Sequence, residues 1–422
     1  MSSTQHTPPT GAGRRAVVTG LGVVAPNGIG ADAFWKATRE GFAVLDRVSR
    51  EGCEELPLRV AGEVRGFQPQ EAVEPRFVVQ TDRFTHFAMA AADLALADAR
   101  LDPSAGSPFD IGVVTAAGSG GGEFGQRELQ QLWGSGPRFV GPYQSIAWFY
   151  AASTGQISIR GGFKGPCGVL ADDEAGGLDA IAHARRGIRR GARAVVVGAA
   201  EAPLAPYSAV CQLGYQELSR SADPDRAYLP FTADACGFAP AEGGGMLVLE
   251  EEDAARERGA TVRALVAGHA ATFTGTDGWQ RSREGLTHAI RGALAEAGCA
   301  PEEVDVVFAD ALGVLDADRA EALALADVFG PRTAVLPVTA PKTGIGRAYC
   351  GGPILDTAAA VLAMEHGVVP PTPNVVDVCH DLDLVTGTAR PAELRTALVL
   401  GRGLMGCNAA LVLRRGSGTD RP

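Results

Sequence analysis

The sequence lacks the patterns that build metal centres and disulfide frameworks. Its eight cysteines are scattered singly, no two of them form a CxxC pair, and none of the seven histidines stands at the spacing of a metal ligand. Zinc sites and disulfide-stapled folds need such repeated spacings. We therefore expect no metal and no cofactor.

Long apolar runs and a surplus of positive charge are absent as well. No uninterrupted apolar stretch approaches the roughly 20 residues of a membrane-spanning helix, and the polar start of the chain does not have the pattern of a signal peptide. The formal net charge of -11 argues against nucleic-acid binding, because contacts with phosphate need surplus Lys and Arg. The sequence thus predicts a cytoplasmic protein that binds neither membranes nor nucleic acid.

The sequence does contain an alternation of short apolar runs and alanine-rich helical stretches. The apolar runs, each typical of a buried strand, lie at 14–20, 111–114, 194–197, 246–249, 304–308, 396–400 and 409–413. The stretches with helical spacing lie at 84–99, 177–190, 283–297, 317–328 and 355–366. Strands that alternate with helices predict an α/β layered fold around a largely buried sheet.

The length of 422 residues exceeds the usual size of a single hydrophobic core, so we expect two halves. A charged stretch at 250–259 follows an apolar run, and the apolar pattern restarts at Val262. We place the boundary there, although a surface helix inside one domain would also explain the charges. The predicted units are a disordered lead-in at 1–13, an N-terminal half at 14–255, a C-terminal half at 256–414 and a flexible tail at 415–422.

A glycine motif at 20–25 imitates the fingerprint of dinucleotide-binding folds without its context. That fingerprint needs a helix to open at once, so that the helix N-terminus can hold pyrophosphate. Here Pro26 and Gly28 break the chain, and the first helix is expected near Asp32. The motif therefore does not predict a dinucleotide site.

The stretch 165–183 predicts a strand, a sharp turn of small residues and a helix that starts near Gly177. Such a turn presents a side chain at a helix N-terminus, where backbone N–H groups and the helix dipole stabilise a thiolate. The residue at this turn is Glu174, a weak nucleophile whose acyl anhydride would hydrolyse readily. Cys167, within the strand, is predicted to be a buried apolar residue rather than a displaced nucleophile.

This turn resembles that of the β-ketoacyl synthases of the thiolase superfamily, which carry an acyl-accepting cysteine there and two histidines elsewhere. The resemblance places Glu174 in the cysteine position and Asp310, within 307–313, in that of the first histidine. It places Arg347 in that of the second histidine, with Lys342 retained in the same motif. An ionised Asp cannot donate a hydrogen bond, and Arg cannot release a proton. The resemblance implies a thiolase-like fold of two pseudo-repeated halves in α-β-α-β-α layers, with its condensing chemistry lost.

Further segments narrow the resemblance to the β subunit, or chain-length factor, of aromatic polyketide synthases. These segments lie at 147–150, 154–159, 174–180, 228–231 and 341–343, and the resemblance covers roughly Arg14 to Arg414. It implies a heterodimer with a ketosynthase α subunit, which performs the condensation, and an indirect relation to an acyl carrier protein. The β subunit shapes the tunnel into which the poly-β-keto chain grows. One departure is Glu174, where this family usually carries Gln.

The resemblance also implies a dimer interface and a tunnel wall. The strand before the turn would pair across the dimer axis, and it comprises Gly168, Val169, Leu170 and Ala171. A tunnel-lining helix carries Gly122, Gly125 and Leu129 at spacings that place them on one helix face. Small residues there predict a roomy tunnel and a long product, and flexibility at a helix start is the alternative.

Two other functions stay open. Glu174 and Asp310 could act as paired carboxylates in a malonyl-carrier decarboxylase or a hydrolase, provided that their environments separate their pKa values. Arg347 argues against this, because a guanidinium paired with Asp310 or Glu174 is expected to keep both carboxylates ionised. A scaffold that only stabilises its partner is the second alternative.

Overall fold

The computed structural model describes residues 13–416. The predicted lead-in, apart from Gly13, and the predicted tail beyond Gly416 lie outside the described residues. The tail was placed too early, because Arg415 still belongs to the last strand and its N–H donates to the Arg395 carbonyl at 2.8 Å.

The strands and helices alternate over most of the chain. In chain order the strands are β1 (Ala16–Ala25), β2 (Gly28–Ile29), β3 (Asp46–Arg47), β4 (Val60–Ala61), β5 (Ile111–Ala116), β6 (Cys167–Leu170), β7 (Ala194–Glu201), β8 (Gly243–Glu251), β9 (Ala264–Phe273), β10 (Val306–Phe308), β11 (Pro337–Thr339), β12 (Val368–Val369), β13 (Asp383–Leu384), β14 (Arg390–Pro391), β15 (Thr396–Arg402) and β16 (Cys407–Arg415). The α-helices are α1 (Ala31–Arg39), α2 (Pro69–Ala72), α3 (Pro75–Gln80), α4 (Arg83–Ala99), α5 (Gly122–Ser135), α6 (Gln144–Ala147), α7 (Ala152–Gly161), α8 (Gly176–Arg189), α9 (Pro206–Gln212), α10 (Glu252–Glu257), α11 (Glu284–Ala297), α12 (Leu315–Phe329) and α13 (Gly351–His366).

The main sheet repeats one strand pattern twice. Its order is β13-β11-β10-β15-β16-β9-β1-β8-β7-β5-β6, with β2 paired to β1. The order β6-β5-β7-β8-β1 in the first half therefore matches β11-β10-β15-β16-β9 in the second. The two halves meet where β1 runs antiparallel to β9, with Val17 opposite Leu265.

Helices cover both faces of each half of the sheet. Helices α8 and α13 pack on each other and contact strands of both halves, whereas α4 contacts β1, β7 and β8 and α11 contacts β9 and β16 from the outside. Residues 351–364 of α13 are all buried, as expected of a helix in a central layer. The stacking is α-β-α-β-α, which confirms the predicted layered α/β fold.

The glycines of the 20–25 motif serve packing within β1. This strand runs unbroken to Ala25, and a Cβ at Gly20 or Gly22 would lie 2.2 Å or 1.8 Å from carbonyl oxygens of α4. The glycines therefore allow helix and strand to approach closely. Within residues 13–416, no helix is both long and apolar enough to cross a bilayer.

Candidate functional site

Glu174 lies in the turn between β6 and α8, as the sequence predicts, but its carboxyl is buried and partnered. Its side chain is 6% exposed, and Oε2 accepts a hydrogen bond from the Leu404 N–H at 2.7 Å. Burial and the neighbouring Asp173 carboxyl raise the pKa of Glu174 well above its ordinary value, although the charge of Arg347 and the Leu404 N–H act against this. The residue at the nucleophile position is thus a buried acid that holds a backbone amide.

Asp173 contributes more hydrogen bonds at this turn than Glu174, and the sequence interpretation missed it. Its Oδ1 accepts from the N–H of Glu174 at 2.9 Å and from that of Leu404 at 3.1 Å, and its Oδ2 accepts from the Met405 N–H at 2.7 Å. The only sequence signal was the run of three acids at 172–174. Leu404 and Met405 lie more than 200 residues away in the chain, so no sequence spacing predicts these two contacts.

Asp310 and Arg347, which the sequence resemblance places at the two histidine positions, form a buried ion pair. Arg347 Nη2 lies 3.0 Å from Asp310 Oδ1, and their side chains are 4% and 1% exposed. Burial acts to raise the pKa of Asp310, but the charges of Arg347 and Lys342 outweigh it and leave the pKa below its ordinary value. Burial acts to lower the pKa of Arg347, and the Asp310 charge outweighs it and raises that pKa. Both groups therefore stay charged at neutral pH.

This ion pair also holds both backbone polar groups of Arg402 at the end of β15. Asp310 Oδ1 accepts from the Arg402 N–H at 2.8 Å, and Arg347 Nη2 donates to the Arg402 carbonyl. Among the described residues, Asp310 Oδ2 has no hydrogen-bond partner. The pair therefore uses one carboxylate oxygen and is not bidentate.

Lys342, the residue retained from the family motif, also points into this buried cluster. Its Nζ lies 2.5 Å from Asp356 Oδ2 and donates to the Asp310 carbonyl oxygen at 3.2 Å. The Lys342 side chain is buried, so its ammonium group is enclosed by these oxygens. Lys342 thus helps to fix the backbone of Asp310 rather than facing a substrate.

The two carboxylates that the decarboxylase alternative combines have different hydrogen-bond partners. Arg347 pairs with Asp310, whereas Glu174 bonds to the Leu404 backbone. The two pKa values move in opposite directions, because burial and Asp173 raise that of Glu174 while Arg347 and Lys342 lower that of Asp310. Glu174 lines the cavity beside the turn, and Asp310 does not.

This cavity, of about 610 Å³, lies between the turn before α8, helix α9 and the loop between β15 and β16. Two of its thiols are unsuited to replace the missing nucleophile. Burial raises the pKa of Cys350 well above its ordinary value, and burial and nearby carboxyls raise that of Cys407 to about 12. A protonated thiol is a weak nucleophile, so neither side chain supplies a thiolate at neutral pH.

The three predicted tunnel residues share helix α5 but not the same surroundings. Gly122 lines the cavity, and a Cβ added there would lie 1.9 Å from the Ser208 hydroxyl oxygen on α9. A Cβ at Gly125 would have its nearest neighbours at 3.9 Å, and Leu129 is 40% exposed. A side chain at 122 would have to displace Ser208, whereas a Cβ at 125 meets its neighbours at an ordinary contact distance.

Strand β6 forms one edge of the main sheet and includes three of the four residues predicted to pair across a dimer axis. Gly168, Val169 and Leu170 lie in the strand, and Ala171 follows it. Among the described residues β6 pairs only with β5. Cys167 belongs to this strand but is exposed, so its predicted burial is wrong. The reason is its place on the outermost strand of the sheet.

Known protein families and relatives match nearly the whole chain. The model of the β-ketoacyl synthase N-terminal domain matches residues 13–255, and that of the C-terminal domain matches residues 263–376. A Streptomyces coelicolor protein named "Putative polyketide beta-ketoacyl synthase 2" is 72% identical over 99% of each chain. The tetracenomycin polyketide synthase ketoacyl synthase beta subunit of Streptomyces glaucescens is 51% identical over 94% of this chain and 98% of its own. The solved structure of the ishigamide ketosynthase/chain length factor superposes with a TM-score of 0.85 at 27% identity, over 95% of this chain and 99% of that one.

Proposed function

Because the chain belongs to the β-ketoacyl synthase family, we propose that it is the non-condensing β subunit, or chain-length factor, of an aromatic polyketide synthase. The main support for this proposal is the acid Glu174 at the nucleophile position. Its Oε2 accepts a hydrogen bond from the Leu404 N–H at 2.7 Å. Acyl transfer needs a nucleophile and free backbone donors for the developing oxyanion. Here Glu174 stands in place of the nucleophile. The carboxyls of Glu174 and Asp173 already accept the Leu404 N–H. A ketosynthase α subunit then supplies the condensing chemistry, in the cytoplasm.

The purified chain is expected to make no condensation product from a primer and a malonyl-loaded acyl carrier protein. Its rate should be lower than that of its complex with the α subunit by roughly 1,000-fold or more, as when a nucleophile is removed. Product formation is measured by mass spectrometry with the chain alone, the complex, and a complex whose α subunit lacks its cysteine. Condensation by the chain alone would refute the proposal.

A control variant separates this function from the decarboxylase alternative. Glu174→Gln keeps an oxygen that accepts the Leu404 N–H, so the complex should retain its product profile. Release of carbon dioxide from the malonyl-loaded carrier by the chain alone, lost in this variant, would instead identify a decarboxylase.

We propose that β6 pairs with the α subunit through its open edge. The carbonyls of Pro166 and Leu170 accept hydrogen bonds from β5, so the alternate residues Cys167 and Val169 direct their backbone groups outward. Helix α7 contacts β6, and its large apolar residue Ile159 is 68% exposed. Exposed apolar surface beside an unpaired strand is typical of an interaction face.

Val169→Pro should weaken the complex by about tenfold or more, because it removes an outward N–H and places a ring at the edge. Val169→Thr, which keeps the N–H, is the matched control. The dissociation constant is measured by analytical ultracentrifugation or by co-purification at graded concentrations. Equal affinities for the two variants would exclude strand pairing through this edge.

A further inference from the structure

The loop between β15 and β16 is held from two sides by acids that stand at or beside the replaced catalytic positions. On one side, Asp310 and Arg347 bond to the N–H and the carbonyl of Arg402. On the other side, Asp173 accepts the N–H groups of Leu404 and Met405 at 3.1 Å and 2.7 Å. Three of four successive residues, 402–405, thus have their backbone amides fixed by carboxylates.

Gly403 lies between these contacts and shows how closely the Asp173 carboxyl sits against the loop. A Cβ at position 403 would lie 2.0 Å from both Asp173 Cγ and Oδ2. Its backbone has no left-handed φ that would itself require glycine. The glycine is therefore needed for the approach of the carboxyl.

We propose that Asp173 is a positioning residue, a built-in anion that binds the amides of Leu404 and Met405 and fixes this loop as a permanent wall of the cavity. Backbone N–H groups that converge on one carboxylate are the arrangement that binds a developing oxyanion in acyl transfer. Because the Asp173 carboxylate already accepts from the N–H groups of Leu404 and Met405, these groups cannot donate to the oxygen of a thioester. It also holds Met405, which is 53% exposed and lines the cavity, in one position. This inference concerns the loop alone and holds whatever the chain's function.

Residue-resolved amide hydrogen exchange on the intact protein tests the proposal. Asp173→Ala should raise the exchange rate of the Met405 amide by about tenfold or more, because its acceptor is lost. Asp173→Asn, which keeps the shape and one acceptor oxygen, should give a smaller increase. Glu174→Gln should leave the Met405 amide unchanged, since Glu174 accepts only from Leu404 in this loop.

Gly403→Ala tests the same contact from the opposite side. The added Cβ displaces the Asp173 carboxyl, so this variant should raise Met405 exchange to the same degree as Asp173→Ala. In the double variant there is no Asp173 carboxyl for the added Cβ to displace. The increases in Met405 exchange caused by the two single substitutions should therefore not add. Additive effects would show that the two substitutions act through different contacts and would overturn the proposal.

Asp305 offers a matched control at the other end of β15. Its Oδ2 accepts the N–H groups of Arg395 and Thr396 at 2.7 Å and 2.9 Å, so it too binds two successive amides. Asp305→Ala should raise exchange at 395 and 396 and leave 404 and 405 unchanged. Suppose that Asp305→Ala raises exchange at 395 and 396, while Asp173→Ala leaves the exchange rate of the Met405 amide unchanged. In that case Asp173 does not hold the loop.

Discussion

Arg347→Met is expected to lower the free energy of unfolding by about 3–5 kcal/mol, because it leaves a buried carboxylate without its charged partner. The Asp310 side chain is 1% exposed and would keep only the Arg402 N–H on its side chain, at 2.8 Å. Methionine roughly fills the space of the arginine stem, so the loss measures the charge and the hydrogen bonds of Arg347 rather than a cavity. Urea unfolding at pH 7.5 and fixed protein concentration gives the difference.

The pH dependence of this loss follows from the pKa of Asp310. In the original protein the pKa is lowered despite burial, so its stabilising contribution is present above the ordinary value of 3.8 and is lost as pH falls through the folded pKa. In the variant only Lys342 and the Arg402 N–H still oppose the effect of burial, so we expect a higher pKa of Asp310 than in the original protein. The destabilisation should therefore shrink as the pH is lowered from 7.5 to 5.

An exposed Asp–Arg pair, bonded through both carboxylate oxygens, supplies the control. Arg390 bonds to both oxygens of Asp383, at 2.6 Å and 2.9 Å, but its side chain is 42% exposed. Arg390→Met should cost only about 0–1 kcal/mol, because solvent already screens the pair. Equal losses at the two sites would mean that the buried pair contributes no more than a surface contact.

The sequence predicts the fold well where signals are local. The helix expected near Gly177 begins at Gly176, and the apolar runs at 111–114, 194–197 and 246–249 all lie in strands. The search for apolar runs does not detect strand β9, because its residues alternate between buried and partly exposed positions. A half-buried strand of this kind has a weaker signal than a buried one.

The candidate site is predicted only in part. The replaced positions Glu174, Asp310 and Arg347 follow from motifs, and the Asp310–Arg347 pair was among the expected contacts. The contacts of Asp173 with Leu404 and Met405 join segments about 230 residues apart, and only tertiary packing brings them together. The exposure of Cys167 depends on which strand ends the sheet, and apolar patterning alone does not determine strand order.

Gly125→Phe in the complex with the α subunit is expected to shorten the product by at least one two-carbon unit. We propose that the face of α5 that carries Gly122, Gly125 and Leu129 forms a wall of the tunnel that receives the growing chain. A Cβ at position 125 meets no clash, since the nearest atoms, Gln144 Nε2 and Trp148 Cβ, lie at an ordinary contact distance of 3.9 Å. An aromatic ring there would narrow the tunnel, because aromatic side chains are the largest apolar blocks available. The measurement is the carbon number of the dominant product by mass spectrometry.

Gly134→Phe is the matched control, because it places the same ring on the same helix. Gly134 is exposed, and a Cβ there would meet nothing within 4 Å. The ring then points away from the cavity and should leave the length distribution unchanged. A substitution at Gly122 would be a poorer test, since the ring would first displace Ser208 and α9. If Gly125→Phe gives the same products as Gly134→Phe and the unaltered complex, this face of α5 does not limit chain length.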